Sequence, residues 1–148
     1  FNSVHLLDAT GDSTGKWNWF QPNISGKPPS PRTGHTAVLL EDGKTILIYG
    51  GWDPTDEEEE DETQIFDDSF LLDTDMWSWS PGPNSRFVPG TESTNGGSKR
   101  VGHSGILAPG QKGTEVLVFG GRVPDNKFAS DFQSLDVSLK TIGLFFGS

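Results

Sequence analysis

The sequence predicts an all-β architecture of stacked four-stranded units, and three observations carry that prediction. First, the stretch from Gly34 to Gly51, GHTAVLLEDGKTILIYGG, sets two short apolar runs on either side of Glu41-Asp42-Gly43-Lys44. Each run has the length of a strand, too short for a typical helix, and Val, Ile and Tyr suit a pleated surface. Second, the same phrase returns between Gly102 and Gly121 as GHSGILAPGQKGTEVLVFGG. His35 and His103 lie 68 positions apart (103 − 35), and each is preceded three positions earlier by an arginine, Arg32 and Arg100. Third, the stretches between these phrases recur to Pro and Gly and show no helical periodicity. A unit that returns at this interval marks a repeat architecture.

Taken in order, the chain opens with residues 2–20, NSVHLLDATGDSTGKWNWF. Residues 4–7 read as a strand, 9–15 as a turn and 17–20 as a second strand. This pair has a counterpart in residues 67–80, DDSFLLDTDMWSWS: Leu7-Asp8 matches Leu72-Asp73, and Trp17-x-Trp19 matches Trp77-x-Trp79. A third Leu-Asp stands at Leu135-Asp136. Counted from the histidine, the complete unit has strands at 36–40, 45–49, 69–72 and 76–80. Asp42-Gly43 supplies the positive φ angles of a two-residue hairpin turn between the first two. Both of these strands are apolar at successive positions, so both of their faces are expected to be covered. The fourth strand alternates Trp-Ser-Trp-Ser, one face covered and one wet, as an outer strand does. In the third copy Ile142 and Leu144 replace the tryptophans, so that last strand departs most from the pattern. Residues 21–31, 52–64, 81–99 and 122–129 read as loops.

Composition narrows the function classes. The 148 residues are enough for one ordinary domain. With 19 Gly and 10 Pro the chain is rich in turn residues, yet 5 Trp and 10 Phe argue against disorder. There is no Cys, which excludes disulfides and thiolate metal sites. The net charge of −10 makes nucleic acid an unfavourable partner and a basic ligand a favourable one. No apolar run is long enough to insert in a membrane.

Gly50-Gly51 lacks the Lys-Ser/Thr and the helix of a phosphate loop, so its reading is backbone freedom and close packing. His35 and His103 stand without companion ligands, so a hydrogen bond to the backbone of their own or the next unit is expected, not a metal. Arg32 and Arg100 are expected to pair with carboxylates such as Asp73. The tryptophan pairs read as packing between units. Trp52 opens a long loop and is a candidate contact. Asp56 to Glu62, DEEEEDE, is an acidic run without the order of an EF-hand, suited to docking a basic partner. Asn23-Ile24-Ser25 is a glycosylation sequon, which makes Asn23 a possible modification site.

The series Arg-x-x-His, Gly-Gly, Asp-x-x-x-x-Asp, Trp and Pro resembles the kelch repeat. One copy is carried by Arg32, His35, Gly50, Gly51, Asp68, Asp73, Trp77 and Pro81; the next by Arg100, His103, Gly120, Gly121, Asp131 and Asp136, without the Trp. The resemblance implies a partial kelch-type β-propeller of about two and a half four-stranded antiparallel blades. Residues 1–20 would be the outer two strands of a first blade, 32–80 a complete second blade and 100–146 a third. An open stack leaves an apolar face at each end. The segment is therefore expected to belong to a larger propeller, or to close by associating with other copies.

In an up-and-down meander the loops between strands two and three share one end with the loops between blades, and here those are the long ones. Function is expected on that end. The first reading is a non-catalytic module that binds a protein partner there, through Trp52, Asp56, Glu57, Glu58, Arg86, Phe87 and Arg122. Alternatives are a cell-surface or cell-wall carbohydrate-binding propeller, or a non-catalytic part of an enzyme resembling galactose oxidase. That enzyme's Tyr–Cys copper cofactor cannot be built here, because the one Tyr, Tyr49, has no Cys to join. No cofactor is expected.

Overall fold

A computed structural model describes residues 1–11, 13–54, 64–91, 97–108 and 113–138. The described residues form strands, turns and irregular chain, with no helix. The acidic run Asp56–Glu62 and the positions Ile142 and Leu144 lie outside them.

The chain begins with a two-stranded antiparallel ribbon, β1 (Leu6–Asp8) and β2 (Asn18–Phe20), paired Leu6 to Phe20. The second unit follows. Its first strand is β3 (Thr36–Leu39) and its second β4 (Thr45–Tyr49). A small ribbon of β5 (Trp52–Asp53) and β6 (Gln64–Ile65) projects beyond β4. Strand three is β7 (Ser69–Asp73) and strand four β8 (Ser78–Pro81), and the sheet runs β3-β4-β7-β8, antiparallel throughout. The third unit opens with β9 (Ser85–Phe87), which precedes its histidine. It continues through β10 (Ser104–Leu107), β11 (Glu115–Phe119), the ribbon β12 (Arg122–Val123) and β13 (Lys127–Phe128), and β14 (Phe132–Asp136). Its sheet runs β10-β11-β14-β9. These are kelch-type propeller blades, in an all-β chain.

Three local expectations change. The β3–β4 connection is not a two-residue turn: Leu39 pairs with Ile46, Leu40 N donates to Thr45 O, and only Gly43 (φ 71°) takes a positive φ there. The Asp42 carboxylate organises the loop by accepting from Lys44 N (3.0 Å), Thr45 N (2.8 Å) and Thr45 Oγ1, which fixes a longer connection than Asp-Gly alone needs. Trp77 sits in the β7–β8 turn at φ 50° and not in the strand. The Asp73 carboxylate holds that turn through Asp75 N (2.8 Å) and Met76 N (2.9 Å), so pairing begins at Ser78. Finally, the stretch expected as one loop over 81–99 contains β9, which lies against β14 in the place of a fourth strand.

The core lies between the two sheets. Val38, Leu40, Leu47, Tyr49 and Leu71 of the second blade meet Val116, Val118, Leu135 and Val137 of the third, with Leu107 at the margin. At the inner edge β3 approaches β10 so closely that a Cβ on Gly105 would stand 2.4 Å from Thr36 Cγ2. The strands are not covered on both faces as expected. The side of the second blade away from this core leaves Leu39 54% exposed, and the far side of the third leaves Ile106 57% exposed. On that far side Phe119 and Phe132 lie side by side, ring centroids 4.8 Å apart. Both sides lack a neighbouring blade among the described residues.

The two arginines play one role in two settings. Arg32 Nη1 donates to Gly50 O (3.0 Å) and contacts Asp68 Oδ1 (2.6 Å). Arg100 donates from Nη1 to Gly120 O (3.1 Å) and from Nη2 to Asp131 Oδ1 (2.6 Å). Each ties the Gly-Gly end of strand two to the start of strand three. The partners are Asp68 and Asp131, not Asp73, whose carboxylate is committed to its own turn. Both members of the Arg100–Asp131 pair are fully buried by the second blade, whereas Asp68 is 45% exposed. Asp131→Ala strands Arg100 with both members of the pair sealed from water; Asp68→Ala opens a solvent-facing side to Arg32, whose side chain is 4% exposed and keeps its bonds to Gly50 O and Ser30 O. Asp131→Ala is expected to cost about 3–5 kcal/mol and Asp68→Ala less, read from urea unfolding midpoints. Equal losses would contradict this.

Candidate functional site

The expected functional end begins at the two Gly-Gly pairs. Gly50 and Gly51 adopt φ 69° and 92°, and Gly120 and Gly121 adopt φ 71° and 89°. Side chains would be strained there, and a Cβ on Gly51 would also stand 2.8 Å from Thr33 O. This kink turns the chain out of strand two so that the next residue leads a ribbon away from the sheet. In the second blade that residue is Trp52, in the third Arg122.

Each of these residues is clamped by the same backbone exchange. Thr33 N donates to Trp52 O (2.9 Å) and Trp52 N to Thr33 O (3.0 Å). Val101 N donates to Arg122 O (3.0 Å) and Arg122 N to Val101 O (2.8 Å). The lead-in to each blade thus meets its two–three connection at one end of the sheet. The 41–44 and 74–77 turns meet at the other, where Thr74 N donates to Lys44 O (3.0 Å). Gly51 N also donates to Arg100 O (2.7 Å), stitching neighbouring blades together beneath the ribbons.

The repeat therefore carries Trp52 and Arg122 to adjacent places, and they touch. The Arg122 guanidinium carbon lies 4.9 Å from the Trp52 ring centre, a cation–π contact between blades. Both side chains are half-buried. Beyond them the β12–β13 ribbon reverses through Asp125 (φ 63°) and Asn126 (φ 57°) and presents Phe128, 69% exposed, and Lys127. Sequence reasoning missed Phe128; a lone aromatic after a Pro-Asp-Asn turn was its one signal.

Arg86 and Phe87 do not join this group. They lie in β9 on the outer edge of the third sheet, with Phe87 opposite Gln133 and Arg86 3.6 Å from Asp136. Asp56, Glu57 and Glu58 fall outside the described residues, in the connection between β5 and β6. Asn23 is exposed. Trp17 and Trp19, expected to pack between blades, are exposed on the first ribbon, beside sheet positions where the described chain supplies no neighbour. Among the described residues no three His, Cys, Asp or Glu side chains gather as a metal site. No helix among them is long and apolar enough to cross a membrane.

The histidines differ as their surroundings do. His103 is buried at the blade interface. Its Nε2 lies 3.1 Å from Tyr49 O in the preceding blade, and its ring meets the Tyr49 ring edge-on at 5.4 Å. Tyr49 in turn donates its hydroxyl to Ser98 O and lies 3.0 Å from Ser85 Oγ. His35, the equivalent residue of the second blade, is exposed. His103 is an interlock between blades.

Comparison with known proteins agrees with this architecture. The chain is 28% identical over 127 residues to Host cell factor of Drosophila melanogaster, an alignment covering 83% of this chain and 7% of that protein. It is 36% identical over 80 residues to Kelch domain-containing protein 1 of Homo sapiens, covering 53% of this chain and 16% of that protein. These relatives are consistent with a chain built of kelch repeats. The kelch segment is also 32% identical over 111 residues to an N-(sulfonatooxy)prop-2-enimidothioate sulfolyase of Thlaspi arvense, covering 75% of this chain and 26% of that enzyme. It thus spans 7% to 26% of these relatives, and no family model matches it.

The kelch interlock makes stability depend on pH. Burial, above all, pushes the His103 pKa down from 6.5 to about 4; the hydrogen bond to Tyr49 opposes this, and the Arg100 charge adds to it. The folded chain therefore binds fewer protons than the unfolded chain between these values. The stabilisation is complete above pH 6.5 and is lost as pH falls toward 4. Over that window His103 is expected to account for roughly 3 kcal/mol of lost stability. His103→Gln should flatten the acid limb of the stability–pH curve; an unchanged limb would assign it elsewhere.

Proposed function

We propose that this kelch segment is a non-catalytic module that binds a protein partner through the end bearing the β5–β6 and β12–β13 ribbons. The observation that carries this reading is the Trp52–Arg122 contact. It places an aromatic face and a cation from two successive blades at one point, on backbone clamped by the same pair of hydrogen bonds in each. Aromatic and arginine side chains on rigid scaffolds are the usual anchors of binding energy. Exposed Phe128 extends the surface along the third blade's ribbon, and the sequence places seven consecutive acidic residues between the strands of the second blade's ribbon. Such a surface suits a partner with an apolar anchor and basic flanks. Arg86 and Phe87 lie apart from it and are left out of the proposed contact.

The test uses the full-length protein and a partner recovered by affinity purification, then titrated in purified form. Trp52→Ala and Phe128→Ser should each weaken binding at least tenfold with unchanged melting temperature. Exposed Trp19→Ala, on the first ribbon and outside the proposed contact, should leave binding within twofold. If Trp19→Ala alone abolished binding, the surface would lie elsewhere.

The acidic run gives a separate measurement. Replacing Asp56–Glu62 by the corresponding amides should weaken a basic partner and flatten the dependence of affinity on salt. Unchanged affinity and unchanged salt slope would remove the electrostatic part of the proposal.

A further inference from the structure

Two serines in the sequence precede a proline, Ser30 and Ser80, and the fold treats them differently. Ser80 lies in β8, where it is paired with Leu71 of β7. Ser30 lies in the lead-in to the second blade, in the run Lys27-Pro28-Pro29-Ser30-Pro31-Arg32, which belongs to no strand. Pro28, Pro29 and Pro31 carry no backbone N–H. Lys27, Pro28 and Ser30 each precede a proline, which favours extended or polyproline geometry at all three. Ser30 is exposed. An exposed serine on extended chain that no sheet ladder holds enters the groove of a protein kinase without unfolding the blade.

Behind the hydroxyl stands a guanidinium. Arg32 Nη2 donates to Ser30 Oγ (3.2 Å) and Arg32 Nε to Ser30 O (3.1 Å). The other side of the group is committed: Nη1 donates to Gly50 O (3.0 Å) and Asp68 Oδ1 (2.6 Å), and Nη2 to Asp68 Oδ2 at a longer 3.3 Å. The guanidinium carbon rests 4.1 Å from the Phe66 ring centre and 5.5 Å from that of Phe70. The side chain is thus fixed before any ligand arrives. Its Nε–Nη2 edge, the one turned to Ser30, is a fork that a phosphate accepts from with two parallel hydrogen bonds. The third blade does not repeat this. Ser98 stands two positions before Arg100 as Ser30 does before Arg32, but Lys99 follows it, its Oγ donates to Asp67 Oδ2 (3.0 Å), and Arg100 Nε donates to Gly97 O (2.8 Å). The arrangement is a property of the second blade and not of the repeat.

We infer that Ser30 is a phosphorylation site for a proline-directed protein kinase and that Arg32 receives the phosphate. In the transfer Ser30 Oγ attacks the γ-phosphorus of ATP. An Oγ–P bond forms as the bond from that phosphorus to the β,γ-bridging oxygen breaks, ADP leaves, and the hydroxyl proton passes to the kinase's catalytic carboxylate. Arg32 uses the Ser30 oxygen only as an acceptor, so that proton is not consumed in their bond. The product places nearly two negative charges beside the guanidinium. The phosphate takes the Nε–Nη2 edge from Ser30 O and Oγ and competes with Asp68 Oδ2 for Nη2, while Asp68 keeps Nη1. Arg32 also holds Gly50 O, and Thr33 next to it exchanges two hydrogen bonds with Trp52. The modification therefore acts on the segment that clamps the Gly-Gly kink of the second blade. The inference stands on Ser30 and Arg32 and not on the partner-binding reading.

The test treats the whole chain with Mg-ATP and a proline-directed kinase of the mitogen-activated class and maps the product by mass spectrometry. Ser30 should be modified roughly tenfold faster than Ser80, which reacts only when β8 opens. Ser30→Ala should abolish this uptake and Ser80→Ala should leave it unchanged. The phosphate is then titrated by phosphorus NMR, beside a free phosphopeptide of residues 26–34, whose second ionisation falls at about pH 6. In the folded chain the midpoint should lie lower by about 0.5 pH unit or more, because Arg32 favours the dianion. Asp68→Asn removes the competing carboxylate and should lower it further. No uptake by the folded chain, or uptake at Ser80 in preference, would overturn the site. A midpoint equal to the peptide's, or one that Asp68→Asn leaves in place, would remove Arg32 as the receptor.

Discussion

Everything in this chain depends on one sheet face being covered by the next sheet. Neither four-stranded sheet has a core of its own. Val38, Leu47, Tyr49 and Leu71 are buried because Val116, Val118 and Leu135 stand opposite them, and the reverse is equally true. A unit that cannot bury its apolar face alone is stable only in a stack. This single contact also explains the polar chemistry beneath it. Arg100, Asp131 and His103 are sealed from water by the second blade, and so are paired or neutral. Their counterparts Asp68 and His35 occupy the same places in a sheet whose corresponding face is open, and they are exposed.

The stack also explains why the ends of the assembly differ from its middle. Leu39 on one side, and Ile106, Phe119 and Phe132 on the other, repeat the pattern of residues that are buried between the blades. Phe119 stands at the position of Tyr49, whose hydroxyl reaches Ser98 and Ser85 in the following blade. With Phe in that place, the third blade's open face makes a purely apolar request of its neighbour at this point.

Much of this was legible in the residues. The period read from His35 to His103 corresponds to real equivalence: both Gly-Gly pairs kink alike, both arginines bind the same carbonyl and carboxylate positions, and both ribbons are clamped alike. Trp52 and Arg122 were read as separate loop candidates. Their contact follows from the equivalence of the residue after Gly-Gly in successive blades, a relation that the spacing already contained. Arg86 and Phe87 were misplaced because a Pro- and Gly-rich stretch carries no periodic signal, and three residues of β9 are too few to raise one. The turn at Asp42 was misjudged because Asp-Gly is a strong hairpin signal only when the side chain does not recruit the backbone beyond it.

By itself the sequence determined the three inner strands of the second unit, their antiparallel order and the repeat, because short apolar runs, turn residues and the Gly-Gly kinks act over a few neighbouring positions. It also determined which residues recur and hence which must be structurally equivalent. Only the tertiary structure decided which of two equivalent residues is buried, which strand occupies the edge of β14, and that Trp52 meets Arg122. Those outcomes depend on what lies across from a side chain rather than along the chain from it, and proximity through space leaves no local mark on composition.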